Sequence, residues 1–110
     1  MSKKKGAGNL HHLVEIQHYQ ESQNDLGESL KSWTLFKKAW AEIKPISGKE
    51  FFQASKENNE VSHRVIIRFI DGILPSMRVK FKDRFFDIES SRDYFERNKY
   101  LELMCKEIVL

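Results

Sequence analysis

At 110 residues the chain suits one domain, with 40% apolar and 32% charged residues in the balance of a soluble protein. A formal net charge of +3 tolerates nearby nucleic acid without identifying a nucleic-acid reader. No apolar run approaches the ~20 residues needed to cross a bilayer. The lysine-rich start lacks the apolar stretch of a signal peptide, and a single cysteine, Cys105, excludes an internal disulfide and fits a reducing compartment.

Residues 1–9 read as a flexible basic arm ahead of one domain over 10–110. The stretch HLVEIQHY (12–19) is β-prone, with Val14 and Ile16 on one face. QESQNDLGES (20–29) reads as a polar loop between strands. SWTLFKKAWAEIKPI (32–46) is an aromatic-rich strand stopped by Pro45. Trp33 and Trp40 are seven residues apart, so a regular strand would turn them to opposite faces. Either a bulge near Lys37–Lys38 resets the register or one tryptophan faces away from the core. VSHRVIIRFI (61–70) sets Val61, His63, Val65, Ile67 and Phe69 on one face and Arg64 and Arg68 on the other. Asp71-Gly72 marks a turn. MRVKFK (77–82) alternates Met77, Val79 and Phe81 against Arg78, Lys80 and Lys82, and Asp83 is suited to turn the chain into RFFDIES (84–90). A charged connection, SRDYFERN (91–98), leads to YLELMCKEIVL (100–110), a last strand with Leu101, Leu103 and Cys105 on one face, although its composition also allows a helix. About six short strands with turn signals between them predict a mainly β chain, a small antiparallel barrel or sandwich.

The connection between the second and third strands carries Ser47, Gly48, Lys49, Glu50, Phe51 and Phe52. Gly48-Lys49 resembles the end of a phosphate loop, but Ile43 stands where the first glycine is needed. Glu50 replaces the magnesium-binding hydroxyl and would repel phosphate. Ser47 and Glu50 instead have capping-box spacing, in which each side chain satisfies the other's backbone N–H. A helix this short needs a surface for Phe51 and Phe52. Two readings stand side by side: a short helix plugging the barrel end, or a mobile segment.

Little else points to chemistry. His11, His12, His18 and His63 lack metal-ligand spacing, and no C-x-x-C pattern exists, so neither a metal nor another cofactor is expected. Cys105 reads as a small buried hydrophobe rather than a nucleophile. Asp87 and Glu89 share a strand face, which is commoner for solvated acids than for a glycosidase pair. Arg64, Arg68 and Arg78 would form a basic contact face if their strands are neighbours; otherwise they dot a solvated surface.

The ordered segments SWTLFKKAWAEIKPISGKEFFQA, HRVIIRF, GILPSMRVKFKDRFFDIES and LELMCKE resemble the head–tail joining proteins of long-tailed phages, the head-completion or stopper proteins. The likeness runs from about Leu10 to Glu107 and is carried by Trp33, Trp40-Ala41, Gly48 with Glu50, Arg64, Arg68, Met77-Arg78, Asp87-Ile88 and Cys105–Glu107. Lys82-Asp83 stands where the family often has glycine. The resemblance implies a non-enzymatic small β-barrel. Many copies, commonly twelve, would form a ring below the portal and its adaptor protein, close the DNA-filled capsid and dock the tail through a tail completion protein. Residues 45–60 would face the DNA channel as its plug or gate, touching double-stranded DNA without sequence specificity. Trp40 becomes a candidate subunit contact. The protein would reside in the virion neck after assembly in the host bacterial cytoplasm, with no membrane partner. A different reading of the same residues is an OB-like single-stranded nucleic-acid-binding module using Phe81 and Phe85, although Phe81 shares the core parity of Met77 and Val79.

Overall fold

The computed structural model describes residues 9–46, 61–93 and 97–109. Six strands run in chain order: β1 (His12–Gln23), β2 (Ser29–Pro45), β3 (His63–Arg68), β4 (Arg78–Phe81), β5 (Arg84–Asp93) and β6 (Tyr100–Ile108). They close into a barrel in the order β1-β2-β3-β6-β5-β4, and every pairing is antiparallel. Closure answers a physical problem, since an open sheet of this size would expose unpaired backbone edges.

The inward face follows the alternation of the sequence. Val14, Ile16, Ala41, Val65, Ile67, Val79, Phe86, Ile88, Leu101, Leu103 and Cys105 fill the interior, with Ile73 and Met77 added from the β3–β4 connection. Phe36, Ile43, Phe69 and Phe81 pack against this cluster with part of their surface exposed. The last strand is β rather than helical because its alternate residues have a barrel interior to enter. Burial there pushes the Cys105 thiol far above its ordinary range, as expected of a small apolar filler.

Two bulges set the geometry. On β2, Ile16 pairs with Lys37 but Gln17 pairs with Leu35, so Phe36 is the extra residue. The reset puts Trp33 opposite Tyr19 and Trp40 opposite Leu13, on the outward-facing side of the hairpin in both cases. On β5, Ile88 pairs with Cys105 and Ser90 with Met104, which leaves Glu89 as the extra residue.

The first hairpin is longer than the expected loop at 20–29 allows. Pairing continues to Gln23 and Ser29, and only residues 24–28 turn. Asn24 Oδ1 accepts from the N–H groups of Leu26 and Glu28, both at 2.9 Å, and Gly27 takes φ 79°. An asparagine side chain thus replaces the missing backbone partners of the turn. In the β4–β5 turn the left-handed residue is Lys82, with φ 54°, rather than Asp83. At Gly72, with φ 90°, an added Cβ would lie 3.3 Å from Phe36 Cζ, so the β3–β4 turn sits directly on the bulged phenylalanine. The expected basic arm (1–9), apart from Asn9, and the candidate residues Ser47 to Phe52 lie outside the described residues, as does Tyr94–Glu96 in the expected charged connection.

Candidate functional site

With the interior filled by apolar side chains, chemistry and contacts fall to the outer wall. Three clusters stand there. The first lies across β3, β6 and β5. Glu102 alternates with Leu101 and Leu103 and so points outward, yet it is 1% exposed. Its carboxylate accepts from Arg64 Nη1 at 3.2 Å and from Arg92 on its other oxygen. A buried carboxylate demands such partners, because desolvating it alone is costly. The pair of arginines therefore clips three consecutive strands together.

The second cluster crosses β1, β2, β4 and β5. The Arg78 guanidinium lies 4.2 Å from the Trp33 ring centre and 4.3 Å from that of Phe85, and Nε donates to Gln17 Oε1 at 2.8 Å. Tyr19 continues the row, 5.1 Å from Trp33. Burial lowers the Arg78 pKa from its ordinary value and Asp87, its cross-strand partner, opposes that shift. Arginine suits the position because its flat cation can meet an aromatic face on each side.

The third is an open groove lined by Leu10, His11, Trp40 and Arg68. Trp40 is 55% exposed and Leu13 beside it about half exposed. The Arg68 guanidinium sits 5.9 Å from the Tyr100 ring centre. Tryptophan and arginine are residue types that protein interfaces favour.

The three arginines singled out in the sequence are not one face. β3 and β4 are not neighbours; each is flanked by other strands, on opposite sides of the barrel. Arg64 is committed to Glu102 and Arg78 to its stack, which leaves Arg68 as the exposed member. Phe81 turns toward the core and Phe85 is covered by Arg78, so the aromatic platform needed for single-strand stacking is not presented by that pair.

At one barrel end Arg84 donates to both oxygens of Glu107, at 2.9 and 3.1 Å. His63 lies beside this pair and edge-on to Phe86, with ring centres 5.1 Å apart. Burial holds the His63 imidazole below its ordinary value, Glu107 opposes this and Arg84 adds to it. Among the described residues no group of three or more His, Cys, Asp or Glu is placed to hold a metal ion. Sequence reasoning missed Glu102 and the Arg78 stack, since the buried role of a glutamate in Leu-Glu-Leu depends on arginines that lie 38 and 10 residues away.

The sequence model of the phage head completion proteins matches residues 6–108. The chain belongs to that family. Its members are structural proteins of the phage head, and the matched span contains the entire barrel. Among solved structures, protein SF1141 from Shigella flexneri 2a superposes with a TM-score of 0.75 at 25% identity, covering 91% of this chain and 94% of that one. A chain from the virion of the native gene transfer agent particle shares the fold, with a TM-score of 0.60 at 16% identity and 92% and 97% coverage. No curated protein matches the chain. As a head completion protein, the chain is a structural component of the virion.

Proposed function

We propose that this head completion protein is a non-enzymatic subunit of the phage neck. Copies form a ring, commonly of twelve, below the portal and its adaptor protein. The ring closes the DNA-filled capsid and docks the tail through a tail completion protein. Assembly takes place in the host bacterial cytoplasm. The observation that carries this reading is the distribution of side chains: apolar residues fill the interior, while Trp40, Leu13, Leu35 and Tyr19 stand half exposed and face outward. Such residues gain most when a neighbour covers them. The fold shared with a chain of a gene transfer agent virion supports the same placement.

Within this proposal the β2–β3 connection, residues 45–60, faces the DNA channel. Ser47, Gly48, Lys49, Glu50, Phe51 and Phe52 form its gate. Contact with double-stranded DNA there is independent of sequence, and Arg68 offers a further charge to DNA or to the adaptor. Replacing residues 49–59 by a few glycines and serines tests the gate. Heads carrying the shortened protein are expected to fill and then leak DNA while the isolated barrel still folds. Stable, infectious particles from that variant would refute a gate at this segment.

A further inference from the structure

The β1–β2 hairpin runs beyond the barrel that it helps to close. β1 pairs with β4 only over Glu15–Gln17, and β2 pairs with β3 only from Ala41 to Pro45. Among the described residues, His18 to Gln23 of β1 pair only with β2, and Ser29 to Trp40 of β2 pair only with β1. Six residue pairs from His18–Thr34 to Gln23–Ser29 thus form a two-stranded ribbon about 20 Å long. A ribbon has two free edges, and two-stranded sheets are marginal alone.

Along its β1 side the ribbon's own sequence carries few of the residues that usually protect a free edge. HYQESQ (18–23) contains no proline and no lysine, and Glu21 is its one formal charge. Leu26 at the tip is 82% exposed, and Tyr19, Leu30 and Leu35 are each about half exposed.

We propose that these ribbons pair edge to edge between copies of this chain, the β2 edge of one copy against the β1 edge of the next. The inference rests on the ring reading above and names the surface that builds it. Repeating the ribbon by rotation about an axis along its length keeps every neighbouring pair antiparallel, as within each hairpin. The contact is head-to-tail, the kind that closes into a ring when successive rotations complete a circle. Side chains agree with this arrangement. Glu21 pairs with Lys31 and Tyr19 with Trp33 inside each hairpin. Repetition therefore yields one row of alternating acid and base and another of aromatics, with no like charges adjacent. A two-fold pairing is disfavoured by the same residues. Joining two β1 edges brings Glu21 of both copies toward each other, and joining two β2 edges gathers Lys31, Lys37 and Lys38.

The test uses the full chain. Protein labelled with heavy nitrogen is mixed with unlabelled protein and treated with a carbodiimide, which links a carboxylate to an amine at contact distance. Mixed-isotope Glu21–Lys31 peptides are expected in mass spectrometry. Glu21→Lys and Lys31→Glu variants, each alone, should lose higher oligomers because every ribbon junction then sets like charges together. An equimolar mixture of the two should recover them, since alternating copies restore opposite charges across each junction while each hairpin stays internally mismatched. Same-isotope peptides alone, even at the highest soluble concentration, would overturn the proposal. So would failure of the mixture to recover oligomers, which marks the pair as internal to the hairpin. Mixed-isotope links found elsewhere but never in the ribbon would overturn edge pairing and leave the ring itself standing. A neck imaged without a ring would instead overturn the ring reading.

Discussion

Replacing Glu102 by leucine removes the one acid that is fully buried among the described residues. The side chain is 2% exposed, against 21% for Arg64 and 73% for Arg92. Breaking a buried pair by deleting one partner costs about 3–5 kcal/mol, because the surviving charge is stranded. Arg92 returns to water at little cost, while Arg64 on β3 remains largely covered, so the lower end applies, about 3 kcal/mol. At about 4–5 °C per kcal/mol for a domain of this size, Tm should fall by about 12–15 °C. Urea denaturation and calorimetry both read the change. Replacing all three members, as Arg64→Met, Glu102→Leu and Arg92→Met, should recover most of the loss, since no charge is then left under cover. A single Glu102→Leu variant within about 1 kcal/mol of the parent would refute the clip, because it would place the desolvation cost of the carboxylate level with everything its arginines return.

Trp40→Ala should move the denaturation midpoint of the isolated protein by no more than about 1 kcal/mol, since the ring is over half exposed, yet weaken ring or neck assembly by on the order of 2 kcal/mol per contact; a midpoint lowered by several kcal/mol with assembly intact would reverse that assignment. Arg78→Ala should cost about 1–2 kcal/mol through loss of two aromatic faces and the Gln17 hydrogen bond, and Arg78→Lys should recover only part of it; full recovery by lysine in urea titrations would remove the role of the planar cation. His63 lies below its ordinary 6.5 when folded, so the unfolded chain takes up the proton first, and stability is complete above that value and declines as pH falls below it. Glu107 is held below its ordinary 4.5 by the Arg84 hydrogen bond, so its contribution is present above that value and is lost as pH falls through the lowered pKa of the folded state. Melting curves against pH should therefore show two limbs, and His63→Gln should erase the upper one alone.

Much of the barrel was legible because strand alternation is local. Val14 and Ile16, Val65 and Ile67, and Leu101, Leu103 and Cys105 take the inward face that their period of two assigns, since the pleat alone sends successive side chains to opposite sides. The same rule flagged the seven-residue separation of Trp33 and Trp40 as irregular, and the Phe36 bulge resolves it with both rings outside. Extending that alternation through QESQ and SLKS would have found the long ribbon, but polar composition reads as loop when no partner strand is in view. Strand order was beyond reach of the sequence. The order β3-β6-β5-β4 puts two strands between β3 and β4, and that parts Arg78 from Arg64 and Arg68. Burial of Glu102 and stacking of Arg78 belong to the same class. Each is decided by residues brought from other strands, where long-range closure, rather than any local preference, chooses which charge meets which partner.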